Sequence, residues 1–166
     1  MMPKYAFYAF FAAGLAWSTP AGAGDLTVGG FADLFNASAG QGIRVDKLAC
    51  PKQPIPQCEY IGDRYKILVI GDDETGAPDE IAVYIPRGPT ATSRKQAAMR
   101  TATVLTALTA VAAPSAAPKE RGRLMTSLID GATRPPHRAE RSIGGARYVL
   151  TATDPADFRI YVSWDN

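Results

Sequence analysis

The sequence predicts an α+β domain in which an antiparallel sheet of about five to seven strands carries a helix pair and a short N-terminal helix on one face. Three observations predict it. Segments with apolar residues at every second position, bounded by turn residues, occur before and after the middle of the chain, as half-buried strands require. Between them, residues 92–130 are rich in Ala and Arg and place apolar residues at helical spacing. The resulting order of helix, strands, two helices, strands lacks the regular strand–helix alternation that builds a parallel sheet.

The elements follow in chain order. Phe31, Leu34 and Phe35 fall at i, i+3, i+4 and Gly40 follows, so residues 29–39 predict a short amphipathic helix. Arg44 to Ala49 and Glu59 to Gly62 predict two short strands on either side of the segment Cys50-Pro-Lys-Gln-Pro-Ile-Pro-Gln-Cys58. Arg64 to Gly71 is a stronger strand. In Asp79 to Pro86, Ile81, Val83 and Ile85 alternate with Ala82 and Tyr84, and an acidic turn lies between these two strands. Ser93 and Gln96 read as a capping box for a helix that buries Val104, Leu105, Leu108 and Val111. The segment from Pro114 to Pro118 breaks that helix, and Pro118 suits the first turn of a second one carrying Leu124, Leu128 and Ile129, with Gly131 as its stop. Ala146 to Thr153 and Asp157 to Trp164 return to strand around a turn at Asp154-Pro155. In the last strand Phe158, Ile160, Val162 and Trp164 share one face, with Arg159, Tyr161 and Ser163 opposite. Strict alternation implies one solvated face, on which Tyr84 and Tyr161 would stand.

The first 23 residues read as a secretory signal peptide. Lys4 provides a positive start, the twelve residues from Ala6 to Trp17 are apolar, and Ala21-Gly22-Ala23 after Pro20 is a cleavage site. The apolar run is too short to span a bilayer. No Cys stands at the cleavage point, so the expected product is a free domain of residues 24–166, periplasmic or secreted, with no transmembrane segment. A chain of that size suits one domain. With 46% hydrophobic and 20% charged residues its proportions are globular. In an oxidising compartment Cys50 and Cys58, the only two cysteines, pair as a disulfide. Three prolines in the intervening loop stiffen it, and closing so short a ring stabilises the fold by roughly 2 to 3 kcal/mol.

No catalytic or cofactor motif is present, so the expectation is a binding protein without enzymatic activity, cofactor or metal. The one histidine, His137, lies in a proline-rich loop and reads as a solvated residue rather than a general base. The carboxylates Asp72, Asp73, Glu74, Asp79 and Glu80 crowd one turn. A turn tip lacks the burial that tunes paired carboxylates, and the spacing of a calcium loop is missing. Charge is unevenly distributed. The formal net charge is +2, yet residues 24–86 hold five bases and ten acids, whereas residues 87–147 hold eleven bases and three acids. That basic region is the leading candidate contact. Arg94 and Lys95 fall in the first turn of the capped helix, where cations oppose the helix dipole, and with Arg100 they form a candidate site for an anionic ligand or for an envelope or extracellular protein. Nucleic acid is not expected, because export removes it and no recognised binding motif is present.

A second candidate is Ser142-Ile-Gly-Gly-Ala-Arg-Tyr148, whose adjacent glycines mark a tight turn or bulge ahead of a strand. These seven residues resemble the Ser-Gly-x-Gly-Ala-Lys-Tyr loop of the periplasmic inhibitors of C-type lysozymes. The resemblance implies an inhibitory loop in which Ser142 and Arg147 enter a lysozyme cleft and Tyr148 completes the motif. It also implies an all-β barrel, from which the helix pair departs. A third reading, an envelope hydrolase, would require paired carboxylates in a cleft.

Overall fold

The computed structural model describes residues 26–40, 42–51, 55–153 and 157–164. The signal-peptide reading and the Asp154-Pro155 turn lie outside these residues. The elements are α1 (Phe31–Ala39), β1 (Asp46–Ala49), β2 (Gln57–Gly62), β3 (Tyr65–Gly71), β4 (Pro78–Pro86), α2 (Ala91–Ala112), α3 (Pro118–Ala132), β5 (Arg138–Ile143), β6 (Ala146–Thr153) and β7 (Asp157–Trp164). All strand pairs are antiparallel, in one seven-stranded sheet of order β1-β2-β3-β4-β7-β6-β5. The chain is therefore α+β, with its helix pair inserted between β4 and β5.

One face of the sheet is the core. Tyr60, Ile67, Val69, Ile81, Val83, Ile85, Tyr148, Leu150, Ile160 and Val162 point from it toward the helices and are buried. Against them α1 sets Phe31 and Phe35, α2 sets Val104, Leu105 and Leu108, and α3 sets Leu124 and Leu128. The Phe31 ring stands 5.4 Å from Phe35 and 5.2 Å from Tyr60, so the i, i+4 aromatic pair reaches β2. Buried Thr101 and Thr109 on α2 return their hydroxyls to the carbonyls of Ala97 (2.8 Å) and Thr106 (2.9 Å), so they enter the core without an unpaired polar group. The Cys50–Cys58 disulfide forms, closing the β1–β2 connection.

Several expectations change in detail. The capping box lies one turn earlier than Ser93 and Gln96. Thr90 is the cap, in extended conformation; its hydroxyl accepts the Ser93 N–H at 3.1 Å, and the Ser93 hydroxyl accepts the Thr90 N–H at 3.0 Å. Because the helix already begins at Ala91, Ser93 stands at its third position and completes the box from there instead of capping toward Gln96. Gly131 does not stop α3, which continues through Ala132 to a cap at Thr133. It is instead a point of close approach: a Cβ there would stand 2.7 Å from the Ala139 Cβ on β5. The strand β5 was hidden in sequence among polar residues. Its presence places Arg138, Arg141 and Arg147 in strands, so the basic region is only partly helical. Finally, Tyr148 belongs to no exposed loop. It lies within β6, fully buried, and its phenol is pushed well above its usual range by burial, against a smaller lowering by Arg121.

Candidate functional site

The opposite face of the sheet has no helix on it among the described residues. Register builds it in rows. One row runs Ile61, Lys66, Tyr84, Arg159, Thr151, Arg138, and the next runs Glu59, Leu68, Ala82, Tyr161, Val149, Glu140. Among the described residues, three of the five exposed large hydrophobics are on this face: Leu48 (55% exposed), Ile61 (41%) and Tyr84 (42%). An isolated exposed apolar residue is ordinary, whereas several converging on one area mark a contact surface.

Leu48 and Tyr84 line a cavity of about 340 Å³ together with Glu59, Lys66, Leu68, Ala82, Arg159 and Tyr161, and Ile61 pairs with Lys66 at its margin. Its cause is local. Ala82, the smallest side chain in its row, lies between Leu68 and Tyr161, so the floor drops where the neighbouring strands carry bulk. Tyr84 stands beside it, directly flanked by Lys66 on β3 and Arg159 on β7. With strands about 4.8 Å apart, these two cations bracket one aromatic side chain within about 10 Å. The Arg159 guanidinium is held in place: it donates to Asp157 Oδ2 at 3.1 Å, and this bond, with a smaller contribution from the neighbouring Tyr161, keeps it even more firmly protonated than usual. An aromatic bracketed by cations over an apolar floor suits a partner carrying a carboxylate or other anion beside an apolar group.

The predicted contacts are distributed differently. Arg94 and Lys95 are exposed near the start of α2. At 3.6 residues per turn they and Arg100 point about 100° to 140° away from one another, so they do not share one face of the helix. Arg100 is only 17% exposed and pairs with Asp63 at 3.3 Å. On the β5–β6 hairpin, Ser142 and Arg147 are exposed cross-strand partners. Gly144 and Gly145, at φ 59° and 80°, form the two-residue turn that joins the strands. A Cβ on Gly144 would meet Ala113 at 2.9 Å, so the hairpin tip leans on the α2–α3 connection. The acidic turn is organised by its own hydrogen bonds: Asp72 Oδ1 accepts the Thr75 N–H (2.7 Å), the Glu74 N–H (3.1 Å) and the Thr75 hydroxyl (2.9 Å), which hold its carboxyl below the usual range. Among the described residues no group of three or more His, Cys, Asp or Glu side chains is placed to hold a metal ion. His137 is exposed in its loop.

Sequence reasoning placed Tyr84 and Tyr161 on the solvated face but missed Lys66, Ala82 and Arg159 as their neighbours. The signal for each strand's alternation was present; the order of the strands, which makes them adjacent, was not. The architecture is that of a one-sided α+β sheet with a recessed aromatic and cationic centre. Compared with protein-family models, curated proteins and solved structures, the chain finds no match in any of the three. Among the described residues no helix is long and apolar enough to cross a membrane.

Proposed function

We propose that the chain is an exported binding domain without enzymatic activity, which captures an envelope or extracellular protein through the uncovered face of its sheet. The observation that carries this reading is the recess at Ala82, rimmed by Tyr84 and Tyr161 and flanked by Lys66 and Arg159. Aromatic and Arg side chains around a pocket are the residues that dominate binding energy in interfaces. The reading of residues 1–23 as a signal peptide and the Cys50–Cys58 disulfide support the compartment.

The test is capture from cell-envelope extract with the oxidised mature domain, followed by titration of the purified captured protein. Tyr84→Ala, and separately Ala82→Leu to fill the recess, weaken the complex by roughly tenfold or more. An Arg94→Glu, Lys95→Glu, Arg100→Glu triple variant leaves it unchanged. The reverse pattern would move the contact to the N-terminal half of α2 and overturn the sheet-face reading. A second reading, inhibition of a lysozyme-like hydrolase, is favoured by the exposed, paired positions of Ser142 and Arg147. Under it, inhibition in a cell-wall lysis assay is lost in a Ser142→Ala plus Arg147→Ala variant and is indifferent to Tyr84→Ala.

A further inference from the structure

The two edges of the sheet are not equivalent. At one edge β1 has four residues and an irregularity between Lys47 and Ala49. Short, bulged edges resist pairing with another chain. At the other edge β5 has six residues in unbroken register with β6. The His137 carbonyl accepts the Ala152 N–H at 2.9 Å, which makes 137 and 152 a hydrogen-bonded pair. Antiparallel alternation then turns the main-chain groups of Ala139 and Arg141 toward β6, and those of Arg138, Glu140 and Ser142 outward. The Glu140 carbonyl accordingly accepts a hydrogen bond at 2.6 Å from Arg141 Nη1, which an incoming strand would displace.

Alongside this edge runs a groove of about 770 Å³ between α3 and β5. Lys119, Arg123 and Asp130 follow one another along its α3 side four and seven residues apart, Arg134 stands just past the α3 cap, and Arg141 reaches over from β5 to donate to Ser127 Oγ at 2.7 Å. It therefore holds four cations and one carboxylate. Among the described residues Lys119, Arg123 and Arg134 make no ion pair within 4.0 Å. Gly122 also lines the groove, and a Cβ there would meet nothing. A glycine inside a helix costs about 1 kcal/mol relative to Ala, and here no packing neighbour requires it. Its effect is to keep the groove open.

We propose that the β5 edge and this groove together form a docking site for an extended acidic segment of a partner protein, added to the sheet as an eighth strand. Alternate side chains of such a strand face α3, so acidic residues at every second position would meet Arg141, Arg123, Lys119 and Arg134, while main-chain bonds form with Arg138, Glu140 and Ser142. A second copy of β5 is the poorer occupant, since it would bring the same cationic groove alongside itself. The site lies at the β5 edge, away from the recess at Ala82, and does not depend on that recess.

The probe is a fluorescein-labelled peptide of alternating Asp and Val, titrated into the oxidised mature chain. Fluorescence anisotropy rises with added protein. Arg123→Glu with Arg134→Glu, and separately Gly122→Leu, weaken binding by roughly tenfold or more, with the circular-dichroism melting curve showing that each variant folds. N-methylation of alternate peptide amides abolishes binding, and the Arg138, Glu140 and Ser142 amides gain hydrogen-exchange protection that the Asp46–Ala49 amides do not. Tyr84→Ala and Ala82→Leu leave it unchanged, which separates this site from the sheet face. Absence of binding, equal binding of the N-methylated peptide, or binding only of inorganic polyphosphate or phosphatidylglycerol vesicles would overturn the proposal.

Discussion

The two faces of the sheet share every strand yet are built on opposite rules. On the inner face β7 presents Phe158, Ile160 and Val162, all buried; on the outer face the same strand presents Arg159, Tyr161 and Ser163. Inner residues are large, apolar and pressed against helices. Outer residues are mixed in size and charge, and the one small side chain among bulky neighbours, Ala82, leaves a recess instead of being filled from a second layer. A face that served only solubility would be uniformly polar. This one keeps Leu48, Ile61 and Tyr84 exposed beside Lys66 and Arg159, and that mixture is the ground for proposing contact there.

Adjacent substitutions on β7 test the contrast most strongly. Ile160→Ala removes a fully buried side chain and lowers stability by about 2 to 5 kcal/mol. Tyr161→Ala, one residue on, costs about 1 kcal/mol or less. Urea unfolding of the two variants measures both values, and equal losses would mean that the outer face is also covered.

A second contrast appears in alkali. The phenol of Tyr60, buried on the inner face with its hydroxyl donating to the Val28 carbonyl, is pushed up to about 12 by burial and, secondarily, by the charge of Asp33. In the unfolded chain it ionises near 10. The stability linked to this proton is therefore complete below pH 10 and is lost as pH rises through about 12. Unfolding midpoints of the native chain decline over this interval, and Tyr60→Phe, measured in parallel, declines less.

Smaller effects concern the outer face and the helices. Tyr84→Ala weakens capture of the partner by roughly tenfold, about 1.4 kcal/mol, while leaving the urea midpoint nearly unchanged. Arg100→Ala, which breaks a pair with a carboxylate that is 83% exposed, changes stability by less than about 1 kcal/mol. A double-mutant cycle with Asp63→Ala measures that coupling, and a large value would restore Arg100 to a central role.

Much of this architecture was legible as pattern. The i, i+3, i+4 spacing of Phe31, Leu34 and Phe35, the alternation through Ile81, Val83 and Ile85, and the Pro118 start of α3 all appear in the structure where the sequence placed them. Where reading failed, the cause was competition or polarity. Thr90 holds the cap assigned to Ser93 because the helix starts three residues earlier than its apolar residues mark, with Ser93 already in the first turn. The strand β5, Arg-Ala-Glu-Arg-Ser-Ile, escaped notice because this edge strand anchors itself with only Ala139, buried, and Ile143, partly buried, among four polar residues. Tyr148 was placed both in the strand Ala146 to Thr153, where it stands, and at the end of the inhibitory motif, from which its place in the period-two pattern of Ala146, Tyr148 and Leu150 removes it by sending it inward.

The sequence by itself determined the class of fold, the pairing of Cys50 with Cys58 and the sides of β4 and β7 that face the core, because these follow from local periodicity and from there being only two cysteines to pair. Only the tertiary structure decided which strands are neighbours. That order, β1-β2-β3-β4-β7-β6-β5, sets Tyr84 between Lys66 and Arg159 and leaves β5 at an edge beside α3. Cross-strand adjacency depends on residues dozens of positions apart, and no spacing within a single segment records it.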